Sequence, residues 1–212
     1  MMQLSRIAQT TPVRWKNGGG VTRDLLLWPP GARVDNWQLR ISVAEVVRNG
    51  PFSAYPGVAR WFCVLQGDGV VLTLNGQGQG QGQTQTQTQT QTLPQTLTYT
   101  LTPDSPPLHF DGASAPGCRL LGGPTLDLNL MARQDAGRAE MARAVAGIGW
   151  SSSARLRAVY ARDACTLRAG AAPPLALRAG TLAFNDAARG DTWQLVGDSA
   201  LAWWLSFEPH AR

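Results

Sequence analysis

Residues 61–74 read Trp61-Phe62-Cys63-Val64-Leu65-Gln66-Gly67-Asp68-Gly69-Val70-Val71-Leu72-Thr73-Leu74, a pattern that is common in β-barrels. The first five residues form a continuous apolar run, which is typical of a strand buried on both faces. The last five follow the period-two pattern of a second strand. Gly67-Asp68-Gly69 between the two runs favours a tight turn. The segment therefore predicts the strand, turn and strand of a β-sandwich or barrel.

The same pattern extends outward from this segment. Residues 40–46 alternate with a period of two, and residues 97–101 alternate with β-branched or aromatic positions. Further short strand patterns follow towards the C-terminus. Residues 126–146 are compatible with a short helix, or with a linker and the first strand of a second half. We therefore predict an all-β chain with a larger half over residues 1–130 and a smaller half over residues 131–212.

A low-complexity tract, residues 76–92, interrupts the strand pattern. Glutamine alternates in it first with glycine and then with threonine, so the tract has nothing apolar to bury. We predict a mobile loop at the tip of an expanded hairpin. Such an insertion is tolerated because each doubling of loop length costs only about 0.6 kcal/mol of closure entropy.

The composition argues against several classes of protein. With 43% hydrophobic residues in a chain of 212, there is enough apolar material to build a core. The net charge is +5 and the arginines are scattered, so no nucleic-acid-binding surface is predicted. No segment reaches the ~20 apolar residues that span a bilayer, and the N-terminus does not resemble a secretory signal. We therefore expect a cytoplasmic protein without nucleic-acid or membrane partners.

Metal and nucleophile chemistry have little support in the sequence. The chain has 2 histidines, His109 and His210, which is too few for a three-histidine metal site, and 3 cysteines without a Cys-x-x-Cys pair. No Gly-x-Ser-x-Gly motif is present. We therefore predict no metal and no cofactor. His109 could still serve as a lone acid or base, or it could be a strand-end histidine whose hydrogen bonds are satisfied within the protein.

The first candidate site is the segment Trp15-Lys16-Asn17-Gly18-Gly19-Gly20-Val21-Thr22-Arg23-Asp24. Its three consecutive glycines allow backbone N–H groups to converge on a small anion, or allow a neighbouring chain to approach closely. Lys16 and Arg23 flank the glycines with positive charge, and Asn17 can donate or accept a hydrogen bond. The alternative is a turn that needs positive φ, with solvated charges beside it.

Two further polar positions lie on predicted strands. Arg60 enters an apolar strand, where an unpaired charge is costly, so it needs a carboxylate from the protein or from a ligand. Asp127 and Asn129 are two residues apart and therefore project to the same face of a strand. The alternative to a ligand site is internal pairing, in which Arg60 forms an ion pair with Asp127.

Taken together, these segments resemble the HutD/Ves family. The motifs that carry the resemblance are Trp15–Gly20 with Thr22-Arg23, Arg40-Ile41-Ser42, Gly50-Pro51-Phe52-Ser53, Arg60, His109-Phe110 and Asp127–Met131. The resemblance implies a cytoplasmic bicupin, built from two RmlC-like jelly-roll halves without the metal-binding histidines of other cupins. For the HutD branch it also implies a role in bacterial histidine utilisation, in which the protein binds a small carboxylate such as N-formylglutamate and modulates flux or expression. The Ves branch is linked instead to cold-responsive settings, and the sequence leaves the branch open. The tract of residues 76–92 is an insertion relative to the family.

The predicted ligand-binding set combines the candidate segments with the family motifs. Its members are Lys16, Asn17, Gly18, Gly19, Arg23, Ser42, Ser53, Arg60, His109, Asp127 and Asn129. In this hypothesis residues 16–18 form one wall of a pocket for a small carboxylate metabolite. Arg60, Asp127 and Asn129 form the opposite wall.

Two alternatives to a regulatory binding protein remain open from the sequence. One is a metal-free cupin enzyme, an isomerase, epimerase or hydrolase, with His109 as its base. This enzyme requires His109 to lie close to the glycine-rich segment. The other is a structural or interaction protein with Trp203-Trp204 at an oligomer interface, such as that of a homodimer, although tryptophans are equally suited to a core.

Overall fold

The computed structural model describes a chain of β-strands joined by short connections. The residues it describes are 1–75, 96–187, 190–197 and 200–211. The Gln/Gly/Thr tract predicted as a mobile loop, residues 76–92, lies outside the described residues. The strands on either side of it pair antiparallel, with Val70 opposite Leu101.

The described residues contain strands and only two helical turns, the 3-10 turns Ile7–Gln9 and Gly112–Ser114. The predicted all-β class is therefore confirmed. Neither turn, nor any other helix in this part of the chain, is long and apolar enough to cross a membrane.

The N-terminal part of the chain supplies the strands β1 (Gln3–Arg6), β2 (Val13–Arg14), β3 (Gly20–Trp28), β4 (Leu39–Val46), β5 (Gly50–Pro51), β6 (Val58–Gln66), β7 (Val70–Asn75), β8 (Thr96–Leu101), β9 (Leu108–Asp111), β10 (Gly117–Leu120) and β11 (Thr125–Arg133). Six of them form the first large sheet, in the order β2-β3-β4-β11-β6-β9. Four form the first small sheet, in the order β5-β10-β7-β8.

The C-terminal part supplies the strands β12 (Gly137–Ala144), β13 (Gly149–Trp150), β14 (Leu156–Ala161), β15 (Cys165–Ala169), β16 (Leu175–Leu177), β17 (Thr181–Asp186), β18 (Trp193–Val196) and β19 (Ala202–Pro209). The second large sheet has the order β1-β17-β14-β19-β12, and the second small sheet has the order β13-β18-β15-β16. The N-terminal strand β1 thus belongs to a sheet of the second half. The division predicted near residue 130 falls within β11, and the chain passes to the second half over residues 134–136.

The turn between β6 and β7 carries the chain from the first large sheet to the first small sheet. Gly67 and Gly69 have φ angles of +95° and +110°, where side chains are strained. A Cβ on Gly67 would lie 2.6 Å from the carbonyl oxygen of Pro124, and one on Gly69 would collide with the carbonyl oxygen of Leu101. The predicted tight turn is present, but it joins strands of different sheets and does not close a hairpin.

Three large hydrophobic cores lie between the sheets, and the described residues also contain a smaller cluster of Trp37, Val58 and Met131. One fills the interior of the first half and includes Phe62 and Leu72, and one fills the interior of the second half and includes Val159 and Leu195. The third lies between the two large sheets and includes Leu205. The molecule is therefore layered as small sheet, large sheet, large sheet and small sheet.

The tryptophan pair proposed as an oligomer contact is part of these cores. Trp203 is 0% exposed and packs between the two large sheets, whereas Trp204 is 4% exposed and packs inside the second half. Neighbouring residues of a strand point to opposite faces, which is why the two side chains enter different cores. The expectation that Trp203-Trp204 lie at an oligomer interface is therefore corrected, whereas the homodimer itself stays a prediction.

Candidate functional site

The two faces of the first large sheet have different roles. On β4, Ile41 and Val43 enter the core between the large sheets. Ser42 lies between them and therefore points to the opposite face, which is the interior of the first half. The same alternation turns Arg60 on β6 and Asn129 on β11 towards that interior.

Four of the predicted residues meet on this interior face. Asn129 is paired in register with Ser42 on β4, and Asp127 lies two residues before it on the same face of β11. Arg60 on the neighbouring strand β6 is hydrogen-bonded to Asn129. All four residues are buried. We call Ser42, Arg60, Asp127 and Asn129 the interior polar cluster.

Arg60 is the charged centre of this cluster. It is 7% exposed, and its Nε and Nη2 donate to Asn129 Oδ1 at 3.0 and 2.6 Å. Its guanidinium lies 4.8 Å from the ring centroid of Phe52 and 5.5 Å from that of Phe110. Burial lowers the pKa of Arg60 to about 10, so it remains charged at neutral pH.

Arg60 forms no ion pair with any carboxylate in the described part of the chain. The internal pairing of Arg60 with Asp127 that the sequence left open is therefore not formed. A neutral amide, Asn129, accepts the hydrogen bonds instead, so the positive charge of Arg60 is not neutralised there.

Asp127 adds a second unusual group to the cluster. Its side chain is 0% exposed, and its Oδ2 accepts a hydrogen bond from Thr125 Oγ1 at 3.0 Å. Its Oδ1 is buried without a hydrogen-bond partner among the described residues. Burial raises the pKa of Asp127 to about 8, although the Thr125 hydrogen bond and the charge of Arg60 oppose the shift. At neutral pH most of this carboxyl is therefore protonated, and the cluster carries a net positive charge.

An ion pair that was not among the predicted site residues borders the cluster. Arg40 Nε lies 2.7 Å from Asp24 Oδ1, and both side chains are partly buried. Asp24 is paired in register with Ser42, and Arg40 lies two residues before Ser42 on the same face of β4. The charge of Arg40 is thus neutralised within the protein. Arg40 lies two residues before Ser42 on a strand, so the spacing in the sequence was enough to predict that Arg40 shares the face of Ser42.

The glycine-rich segment borders the cluster without lining it. Lys16 is exposed, and the Asn17 side chain is occupied by a hydrogen bond from the Gly19 backbone N–H at 2.9 Å. Trp15 packs edge-on against Phe52 with 6.0 Å between ring centroids, and Phe52 in turn contacts Arg60. Among the described contacts, the segment thus reaches the cluster through Trp15 and Phe52 and not through the side chains of residues 16–19. The predicted wall formed by residues 16–18 is corrected accordingly.

The glycines of this segment have a structural explanation. Gly18 has a φ of +68°, and its backbone N–H donates to the Trp15 carbonyl at 3.0 Å. A Cβ on Gly20 would collide with the Glu45 carbonyl oxygen on the neighbouring strand β4. Gly19 is buried beside Trp15. The segment is the tight turn and close chain approach that the sequence allowed as the alternative to an anion site.

His109 lies on the outer face of the first half. Its neighbour Phe110 enters the interior, and strand alternation directs His109 the opposite way. It is exposed and stacks on Trp61 with 4.2 Å between ring centroids. Burial lowers the pKa of His109, which favours the neutral ring. The prediction that His109 belongs to the ligand site is therefore corrected, and the enzyme hypothesis loses its base.

Two other predicted residues also lie away from the cluster. Arg23 on β3 is paired in register with Val43, whose side chain lies in the core between the large sheets, so Arg23 faces away from the interior. Ser53 follows β5 in a connection and is exposed. Arg23, Ser53 and Ser42 all lie in motifs of the family. The sequence alone does not show which side of each strand faces the interior, so it could not separate Ser42 from the other two residues.

The donor atoms of the interior polar cluster suit an anion and do not suit a metal ion. Metal sites in proteins use neutral or anionic ligand atoms, whereas the centre of this cluster is a guanidinium cation. Within the described residues, no three histidine, cysteine, aspartate or glutamate side chains are placed to hold a metal ion. The geometry is that of a charged donor with an amide, a hydroxyl and a largely protonated carboxyl around it.

Comparisons with known sequences identify relatives of the chain. The HutD family model matches residues 7–202. An uncharacterised 21.2 kDa protein in the hutC 3' region of Pseudomonas putida is 33% identical over 135 residues, covering 61% of this chain and 57% of the relative. Protein Ves of Citrobacter koseri is 33% identical over 128 residues, covering 60% and 56%. The chain thus spans little more than half the length of these curated relatives.

Solved structures share the fold over nearly the whole chain. HutD from Pseudomonas fluorescens SBW25 has a TM-score of 0.78 at 22% identity and covers 100% of both chains. A conserved protein of unknown function from Pseudomonas aeruginosa PAO1 has a TM-score of 0.80 at 23% identity, covering 98% of this chain and 99% of its own. The oxalate decarboxylase of Lactobacillus farciminis has a TM-score of 0.61 at 10% identity, covering 98% and 86%. These likenesses confirm the predicted bicupin fold, and with the family match over residues 7–202 they establish that this chain belongs to the HutD family.

Proposed function

We propose that this protein binds a small carboxylate metabolite of histidine utilisation, such as N-formylglutamate, at the interior polar cluster and acts as a regulatory binding protein. The observation that carries the proposal is Arg60, a buried guanidinium without a carboxylate partner among the described residues. Burying a charge without a counter-ion is costly, so the site favours an incoming anion.

The other members of the cluster suit the remaining groups of such a ligand. With Nε and Nη2 of Arg60 engaged by Asn129, Nη1 is left to donate to a ligand carboxylate. Protonated Asp127 can donate a hydrogen bond from its unpartnered side to a formyl or carboxylate oxygen. The Ser42 hydroxyl supplies a further donor or acceptor on the same face.

The metabolic setting comes from the family. The Pseudomonas putida relative is described as a protein in the hutC 3' region, and the family model is HutD. A binding protein of this family would report the level of a pathway intermediate without converting it. The enzyme alternative has less support because its proposed base, His109, lies on the outer face.

Calorimetric titration of the protein with N-formylglutamate, urocanate and glutamate tests this function. We expect N-formylglutamate to bind, and Arg60→Gln to weaken its binding by tenfold or more, because a hydrogen bond to a charged group contributes about 1.5–3 kcal/mol. Arg23→Gln, on the opposite face of the same sheet, is the matched control and should bind like the wild type. Folded wild-type protein that gives no heat with any of the three compounds, or an Arg60→Gln variant that binds equally well, would contradict the proposal.

A further inference from the structure

A cavity of about 570 Å³ opens on the interior side of the second large sheet. The paired strands β12 and β19 form one side of the cavity, and the segment of residues 151–154 forms the other. The cavity is far along the chain from the interior polar cluster. Arg138, Glu140, Ser206 and Glu208 contribute to its lining. Its volume falls within the range of about 300–1,000 Å³ that is usual for small-molecule sites.

Ser206 is a buried polar group that faces this cavity. It is 6% exposed, and its strand neighbours Leu205 and Phe207 point to the opposite face, into the core between the large sheets. The hydrogen bonds of this region involve Ala154, Arg155 and Arg157, and none of the described residues bonds to the Ser206 hydroxyl. Its oxygen is not among the described side-chain atoms that are fully buried without a partner, so the hydroxyl is open to the cavity and can bond to a molecule there.

The arginine beside Ser206 is already neutralised. Arg157 is paired in register with Ser206 and is 0% exposed. Its Nη1 donates to the Asp191 carbonyl oxygen and its Nη2 to Asp191 Oδ1, each at 2.8 Å, while its guanidinium stacks over Trp193. The Arg157 hydrogen bond lowers the pKa of Asp191, which keeps that carboxylate ionised. No free positive charge therefore lies at this position to attract an anion.

The side chains that line the cavity carry one more negative charge than positive charge. Glu140 and Glu208 oppose a single guanidinium, Arg138, which is paired in register with Glu208. Glu208 also accepts a hydrogen bond from the Arg155 backbone N–H at 2.6 Å. Glu140 is paired in register with Ser206 and forms no ion pair with another described residue. The second half thus offers a carboxylate and a hydroxyl side by side.

We propose that this cavity is a second ligand site, which takes a small ammonium compound carrying hydroxyl groups. The ligand's ammonium group pairs with Glu140, and a ligand hydroxyl group bonds to Ser206. The hydroxyls of residues 151–153 provide further hydrogen bonds. The site lies in the other half of the molecule and has the opposite charge preference, so it is independent of carboxylate binding at Arg60.

Ethanolamine is a suitable probe, titrated into the uniformly ¹⁵N-labelled protein of 212 residues with detection of amide shifts. We expect saturable shifts at Ser152, Ala154 and Ser206. Ethylene glycol, which lacks the ammonium group, should bind about tenfold more weakly, and acetate should not bind there. The variant Arg60→Gln should leave these shifts unchanged.

The matched variants are Glu140→Gln in the cavity and Glu45→Gln in the first half. We expect Glu140→Gln to weaken ethanolamine binding about tenfold and Glu45→Gln to have no effect, because only the first removes the charge that pairs with the ammonium group. Glu140 is exposed, so its replacement leaves the fold intact, which the amide spectrum itself reports. The inference fails if ethanolamine causes no saturable shift at these amides, or if Glu140→Gln binds it as tightly as the wild type.

Discussion

Arg60 and Arg157 have similar surroundings but different partners. Each is buried on the interior face of a large sheet and lies over an aromatic ring, Phe52 in one case and Trp193 in the other. Asp191 supplies a carboxylate to Arg157, whereas Arg60 has only the amide of Asn129. Because an amide takes the place of a carboxylate as the partner of Arg60, the positive charge of Arg60 is not neutralised in the first half.

The variant Asn129→Asp tests the consequence of that difference. It supplies Arg60 with a carboxylate at the position where Asn129 Oδ1 already accepts two hydrogen bonds. We expect the internal ion pair to compete with the ligand and to weaken N-formylglutamate binding by tenfold or more in calorimetry. Affinity equal to that of the wild type would show that the ligand does not use the Arg60 charge.

Asp127 makes stability depend on pH. Its pKa is raised to about 8 in the folded protein, against about 4 in an unfolded chain, so the folded state holds the proton more tightly. Its contribution to stability is complete below about pH 4 and is lost as the pH rises towards 8, by about 1.4 kcal/mol per pH unit. Asp127→Asn should remove this dependence.

Urea unfolding of the wild type and Asp127→Asn at pH 5 to 9 measures the effect. The difference between the two proteins isolates Asp127, because other titrating groups are common to both. We expect the variant to gain stability relative to the wild type as the pH rises to about 8 and then to level off. A constant difference across this range would mean that Asp127 is ionised in the folded protein throughout.

At the scale of the elements, the pairing of β3 with β4 depends on Gly20. A Cβ there would collide with the Glu45 carbonyl oxygen, and backbone cannot move aside as a flexible side chain can. We expect Gly20→Ala to lower the free energy of unfolding by about 1–3 kcal/mol. Gly123→Ala is the control, because a Cβ at Gly123 meets nothing within 4 Å. Equal denaturation midpoints in urea for the two variants would contradict this account of the glycine-rich segment.

Strand patterns predicted elements better than they predicted connections. The apolar run of residues 61–65 lies in β6, and residues 40–46 lie in β4, as their periodicity indicated. The turn at Gly67 and Gly69 was also found, but its role in joining two sheets was not predictable. A turn signal reports local backbone geometry and carries no information about the sheet that the next strand joins.

At the scale of the whole molecule, the core between the large sheets joins the two halves. Leu130 of the first half and Leu205 of the second half are both 0% exposed within it. We expect Leu205→Ala to cost about 2–5 kcal/mol and to accelerate amide hydrogen exchange in β11 as well as in β19. Leu195→Ala, which alters the interior of the second half alone, is the comparison and should affect β11 less. Unchanged exchange in β11 for Leu205→Ala would mean that the halves are not coupled through this core.

The amino-acid sequence was enough to predict the all-β class, most strand positions and the shared face of Asp127 and Asn129. These properties follow from a period of two along one strand, which is local. It also pointed to Arg60 as a charge in need of a partner, since the apolar residues around Arg60 are visible in the chain.

The three-dimensional structure was needed to establish which faces are interior and which strands are neighbours. It paired Arg60 with Asn129 across 69 residues of chain, joined Arg40 to Asp24, and turned His109 outward while its neighbour Phe110 turned inward. A shift of one residue in register exchanges the two faces of a strand, and register is set by contacts between distant segments. The composition of the site was therefore partly readable from the sequence, whereas its assembly depended on long-range packing.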